Sequence, residues 1–267
     1  MPTAKDLHVA PISSHDAREL VRRIHYSGKV TSNSQLHFGV FLNGKLEGAM
    51  QFGPSLDKRK IQGLVSGTGW NDFLELNRMA FSDKLPRNSE SRALAIAFKL
   101  IRKHYPHIEW VVSFADGTQC GDGAIYRASG FVLTSVKKNT TMLLMPNGEV
   151  VADKTLNDKV CKNGRSGSSI AKENGAKSLL GFQFRYIYFI NPQARERLTV
   201  PILPFSKINE MGAGMYKGEK ITRVKQAMTG VQPEQRRSDT DPPAPFTSNV
   251  ISSEQIAKSL ISLQKAA

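Results

Sequence analysis

Between residues 76 and 131 the chain concentrates side chains that move protons and grip anions. Asp116 ends the apolar run 110–115 (WVVSFA), a position from which side chains project into the clefts of open α/β sheets. A carboxylate there can serve a ligand cleft, or simply start an Asx turn before Gly117. Tyr126 follows in AIYRASGF, bringing a hydroxyl for the site or a ring for packing between layers. Upstream, Arg78 precedes and Arg87 lies within a polar segment, 82–91 (SDKLPRNSES), that runs into a helical pattern, with Ser89 and Ser91 at its mouth. Helix N-termini attract anions through open amides and the macrodipole, and guanidiniums add charge-assisted bonds to phosphate or carboxylate. Ser89 and Ser91 are equally suited to ordinary capping. His25 and Tyr26 form an isolated pair that makes no complete ligand set, so no metal site is assigned from spacing.

Those groups need a scaffold, and the apolar pattern supplies one. Residues 73–81 alternate as a strand, and 92–104 place Leu94, Ala97, Phe98 and Ile101 on one helical face. Residues 110–115 read as a second strand, and the turn 116–123 (DGTQCGDG) leads into a short helix. A strand, a loop feeding a helix N-terminus and a parallel strand with a polar end are the parts of an α/β ligand site. Before them, 15–25 predicts a helix capped by Ser13 or Ser14, with Ala17, Leu20, Val21 and Ile24 on one side. Residues 36–42 and 46–52 flank Asn43-Gly44, a strong hairpin signal. Further strands are expected at 131–137, 141–145 and 182–190.

Lys and Arg outnumber Asp and Glu by 37 to 23 over 267 residues, a formal charge of +14 that favours a polyanionic partner such as nucleic acid over mere solubility. The two cysteines cannot build a disulfide framework, which suits a reducing compartment, and no apolar run approaches the ~18 residues of a membrane span. A cytoplasmic protein is expected. Segment 153–177 carries Lys154, Lys159, Lys162, Arg165, Lys172 and Lys177 with few large apolar residues, so a mobile basic loop or arm suited to nucleic-acid phosphates is expected there. Residues 1–212 should form the folded domain, and 213–267 a mostly disordered tail. Its stretch 232–246 is rich in proline and charge, and 253–263 suits a short amphipathic helix, below the ~12–15 residues that are stable alone. Truncation after Gly230 is therefore expected to leave activity intact, as measured on the product in cells expressing the shortened chain.

The element order resembles the acetyltransferase fold of the GNAT superfamily, which implies a central mixed β-sheet flanked by helices. That superfamily's pyrophosphate loop is glycine-rich, whereas residues 85–91 (LPRNSES) contain no glycine, which argues against acetyl-CoA as cofactor. A narrower resemblance lies in HYSG (25–28), ELNRMAF (75–81), LPRNSESRALA (85–95), SFADG (113–117) and AIYRASGF (124–131). In this order they are similar to the Mom family of phage DNA-modification proteins, over roughly residues 15–200. The resemblance implies conversion of adenine in double-stranded DNA to its carbamoylmethyl derivative, which blocks restriction. It assigns activity to Arg78, Ser91, Asp116 and Tyr126, with His25 and Tyr26 as further candidates. It implies an extruded adenine, with Tyr26, Tyr126 or Phe114 stacking on it and Arg78 and Ser91 holding the donor. The donor stays open: a glycine-derived group or an aminoacyl-tRNA fits, and iron held by His25 and Tyr26 is a further candidate cofactor. Two rival classes are a GNAT-like transferase acylating a protein or small amine, and a DNA-binding protein on an inactive scaffold.

Overall fold

The computed structural model describes residues 2–160, 165–216 and 219–220, with the backbone alone at 158–160. The described residues divide into two compact units, one formed by 2–62 and 69–108, the other by 63–68 and 109–220.

The first unit contains β1 (His8–Pro11), α1 (Ser14–Ile24), β2 (Leu36–Leu42), β3 (Lys45–Gly53), α2 (Lys58–Gln62), β4 (Phe73–Phe81) and α3 (Ser89–His104). Its four strands pair antiparallel in the order β1-β2-β3-β4. Asn43 and Gly44 both take positive φ, 50° and 74°, which the tight β2–β3 turn requires. Ser13 caps α1 by accepting from the Asp16 amide at 3.1 Å, and the helix lays Ala17 and Leu20 on the sheet around Ala49, with Ile12, Ile24 and Leu46 closing the layer. Gly39 lets that layer come close, since a Cβ there would lie 2.6 Å from Ile12 and 2.8 Å from Leu46. The opposite face carries Phe38, Phe52 and Phe98, whose rings meet edge to face at 5.9 and 6.3 Å. Helix α3 thus packs on the face away from α1.

The second unit contains β5 (Trp110–Asp116), α4 (Ala124–Ala128), β6 (Val132–Lys138), β7 (Met142–Leu144), β8 (Val150–Ala152), α5 (Asp153–Val160), α6 (Gly167–Glu173), β9 (Lys177–Ser178) and β10 (Phe182–Phe189). Strand β10 lies between β5 and β6, antiparallel to both. Trp110, Leu133, Phe184, Tyr186 and Ile187 are fully buried, and the Trp110 indole donates to Thr68 Oγ1 at 3.0 Å inside that core.

The α/β class and the order α1, hairpin, β4, α3, β5, α4, β6 are those the sequence leads us to expect. Segment 153–177 departs from the expected loop. It forms α5, α6 and β9, and with the small sheet β8-β7-β9 it builds a core of Leu143, Val151, Leu156, Ala171 and Ala176. The expectation counted large apolar residues within the segment alone. The core instead draws Leu143 and Val151 from outside the segment and is completed by Ala171 and Ala176. Gly167 lets the two helices touch, since a Cβ there would sit 2.3 Å from the Leu156 carbonyl oxygen. Lys162, Cys161 and the tail segments 232–246 and 253–263 lie outside the described residues.

Candidate active site

On β5, Asp116 and Phe114 are two residues apart and share one face. Cross-strand pairing continues that face onto β10 and β6: Gln183 lies opposite Asp116 and Lys137 opposite Gln183, while Arg185 lies opposite Phe114. The Asp116 carboxylate is held by four donors. Its Oδ1 accepts from the Thr118 amide at 2.9 Å, Thr118 Oγ1 at 2.5 Å and Gln183 Nε2 at 2.8 Å. Its Oδ2 accepts only Gln119 Nε2, at 3.0 Å. A carboxylate has about four lone-pair sites on two oxygens, so Oδ2 is the atom with room for another N–H. The expected Asx turn is present, and it serves to fix the carboxylate. Cys120 is exposed at the surface of this turn, and local desolvation followed by the Asp116 charge pushes its thiol up.

Phe114 is 42% exposed and offers an open ring to this face. The Tyr126 ring is engaged, with Phe131 and Tyr186 each 5.2 Å away centre to centre. Behind it, the buried Tyr186 hydroxyl donates to the Asp122 carbonyl at 2.5 Å, and burial pushes that phenol up. Arg127 pairs with Asp122 at 2.9 Å and ties α4 to the same turn.

In the first unit, Arg78 belongs to a polar row that crosses three strands, His37 on β2, Gln51 on β3 and Arg78 on β4. The row shares its face with Ala49 and so lies on the α1 side. Pairing skips from Gln51↔Arg78 to Phe52↔Leu76, which makes Asn77 the extra residue of a β-bulge and turns it toward Gly53. Arg78 Nε donates to the Lys29 carbonyl at 3.0 Å and Nη1 to the Asn77 carbonyl at 2.7 Å, tying the loop after α1 to β4. Glu75 bonds the Ser55 and Asn77 side chains, and its burial raises the carboxyl despite them. Gln51 is wholly buried with both amide atoms unpartnered, and Asn77 Oδ1 and His37 Nδ1 are also unpartnered on residues 6% exposed. Leaving such atoms unsatisfied costs about 1–3 kcal/mol each, so the polar row around Arg78 is a candidate place for ordered water or polar ligand groups. Gln51, Asn77, Glu75 and His37 were missed by sequence reasoning. Their signal is a polar side chain at an inward position of a strand, as in GAMQFG around Gln51.

His25 sits within the field of Arg78, and its Nδ1 accepts from the Ser27 amide at 3.2 Å beside Ser27 Oγ at 2.9 Å, which puts the ring proton on Nε2. The Tyr26 ring lies 4.4 Å away, tilted by 32°. With Nδ1 engaged and no group of three His, Cys, Asp or Glu side chains converging among the described residues, the donors present do not fit an iron site. Burial and then Arg78 lower His25 to about 4, and burial and then Arg18 lower His37 to about 4. Unfolded, both bind protons below about 6.5, so the stability they contribute is complete above that pH and is lost as pH falls toward 4. Glu75 works in the opposite sense, because its carboxyl protonates more readily when folded. The denaturation midpoint is expected to fall between pH 7 and 5, and His37→Asn to flatten that fall. An unchanged slope in the variant would remove His37 from the account.

The remaining residues separate by environment. Asn88, at φ 68°, is the N-cap of α3 and makes no side-chain cap bond. Ser89 is buried with its hydroxyl on the Pro86 carbonyl at 2.5 Å, a structural role, while Ser91 donates to the Asn88 carbonyl at 3.2 Å. Neither serine is the cap, and α3 starts three residues earlier than the apolar pattern implied. Arg87 is exposed just before that first turn. Lys154, Arg165, Lys172 and Lys177 are exposed on the small α5–α6 substructure, with Arg165 paired to Glu173. The Lys159 side chain lies outside the described atoms.

A sequence profile of the Mom protein family matches residues 6–207. The methylcarbamoylase Mom of Escherichia phage Mu is 38% identical over 201 residues, covering 74% of this chain and 82% of that protein. Among solved structures, an IAA acetyltransferase from Bacillus cereus covers 68% of this chain and 99% of its own at 10% identity and TM-score 0.39. The ribosomal-protein-S18-alanine N-acetyltransferase of Escherichia coli covers 69% and 94% at 12% identity and TM-score 0.38. The profile spans both units and takes in Arg78, Ser91, Asp116 and Tyr126 alike, and with the phage relative matching across most of both proteins, the chain belongs to the Mom protein family.

Proposed function

We propose that this protein transfers a carbamoylmethyl group to the exocyclic amine of adenine in double-stranded DNA and so shields that DNA from host restriction. Family membership carries the reading, through a relative that is itself a methylcarbamoylase. Adenine's amine is a weak nucleophile because its lone pair is delocalised into the ring. As the nitrogen bonds to the methylene, the bond from that carbon to the rest of the donor breaks and its electron pair leaves with the departing group, while the nitrogen sheds a proton that Asp116 Oδ2 has capacity to take. Phe114 stacks on the extruded ring, and the Tyr126 hydroxyl donates or accepts beside it. By the family resemblance Arg78 and Ser91 are further residues of the activity, assigned to the donor, for which a glycine-derived group, including one carried by a tRNA, has the right skeleton. Action in the host cytoplasm accords with DNA as substrate. Among the described residues no helix is long and apolar enough to cross a membrane. Mass spectrometry of nucleosides from cells expressing the chain is the test. An adenosine heavier by one carbamoylmethyl group is expected, and unmodified adenosine alone would end the reading.

The basic substructure supplies the phosphate contacts. Neutralising Lys154, Lys159, Lys162, Arg165, Lys172 and Lys177 together is expected to weaken duplex binding evenly across sequences. The slope of log affinity against log salt should flatten by roughly 0.9 for each DNA phosphate that the protein no longer neutralises. An unaltered slope in filter-binding or anisotropy titrations would reduce these charges to a solubilising surface.

A further inference from the structure

Leu180 is 93% exposed, more than any other large apolar side chain among the described residues. It does not sit on a loose loop. The Asn139 side chain donates to the Leu179 carbonyl at 2.8 Å, the Asn139 amide donates to the Gly181 carbonyl at 2.9 Å, and the Leu179 amide donates to the Met142 carbonyl at 3.0 Å. Gly181, at φ 144°, closes the turn against the residue after Asp116, since a Cβ there would lie 2.7 Å from the Gly117 carbonyl oxygen. A rigid turn therefore holds an apolar side chain out into solvent next to the turn that follows Asp116.

The surroundings indicate what covers it. Lys137, Lys138 and Lys177 are exposed near the same turn, and Lys137 shares the face of Asp116. An apolar tip ringed by cations complements a nucleic acid, which offers phosphates outside and a base stack within. Alongside, Leu180, Gly117, Lys138, Phe182 and Met215 border a cavity of about 510 Å³, within the roughly 300–1,000 Å³ range of small-molecule sites. Opening a base step costs a few kcal/mol, and proteins that do so insert apolar wedges to fill the gap.

We propose that Leu180 inserts into the duplex and occupies the space left in the stack when adenine is extruded toward Asp116. The inference rests on the adenine-modification reading above. Because the side chain is almost wholly exposed, Leu180→Ala opens no cavity and leaves the fold intact. Adducts would be counted by nucleoside mass spectrometry in cells expressing wild type, Leu180→Ala or Leu180→Met. The alanine variant is expected to lose adducts by about tenfold or more, the scale set by fully burying a leucine side chain, and the methionine variant to retain them. With 2-aminopurine replacing an adenine that wild type modifies, wild-type protein should raise the fluorescence of the duplex and saturating Leu180→Ala should not. Adducts absent even from wild type would overturn the modification reading itself. Wild-type adducts matched by Leu180→Ala, or an equal 2-aminopurine rise in both, would overturn the wedge alone. So would a change in oligomeric state between the two proteins with the fluorescence unchanged, which would assign Leu180 to contact with a second copy.

Discussion

Asp116→Asn is expected to lower adduct formation by about 10²–10⁴-fold, the usual contribution of a positioned general base, while the protein remains folded. The substitution keeps the size of the side chain and an oxygen for Thr118, so the turn at 116–120 survives. It removes the lone pairs of Oδ2, the one carboxylate atom with capacity beyond its present donor. Gln119→Ala provides the comparison. It deletes the 3.0 Å bond to Oδ2 and leaves the three Oδ1 donors in place, so a far smaller loss is expected. If Asp116 only braced the loop, the two variants would lose activity together and their circular dichroism would change together. Undiminished adducts in Asp116→Asn would exclude a proton-accepting role outright.

Gly123→Ala is the substitution with the largest expected effect on stability. Gly123 starts α4 at φ 88°, and a Cβ there would lie 2.4, 2.7 and 2.9 Å from Cε2, Cζ and Oη of Tyr186. That ring cannot step aside, because it is fully buried and its hydroxyl bonds the Asp122 carbonyl. The left-handed backbone costs about 1–2 kcal/mol for an alanine, and overpacking about 1–3 kcal/mol more. Together these correspond to a fall in Tm on the order of 10 °C for a domain of this size. Gly148→Ala isolates the backbone part, since Gly148 has φ 84° with no atom within 4 Å of the added carbon. Thermal unfolding of both variants checks the argument, and equal Tm losses would show that the Tyr186 contact carries no cost.

Local signals in the sequence were faithful where one element decides them. Strand β4 spans the alternating residues 73–81, the Asn43-Gly44 turn forms, and Ser13 caps α1 as its position implied. The start of α3 was misplaced because Asn88 adopts the left-handed conformation and Ser89 turns back to Pro86, neither of which apolar periodicity detects. Segment 153–177 was misread because its core is shared with 143–151, a tertiary fact absent from a local count of large side chains. Asp116 ends a strand and Tyr126 lies on the short helix after the Gly-rich turn, as the pattern implied. Gln51, His37 and Asn77 were not legible, because only strand register and a bulge bring them into one row with Arg78.

Phe182 pairs with Lys138, so the chain leaves the sheet at the end of β6 and re-enters β10 at the adjoining position. Everything from 139 to 181 is an excursion with coincident ends and an interior of its own. Such an insert can be lengthened, shortened or exchanged without disturbing the strand pair at its base, and it can open as a separate cooperative unit in hydrogen exchange. The part of the protein proposed above to meet the DNA backbone is thereby free to diversify at a different pace from the part that carries Asp116.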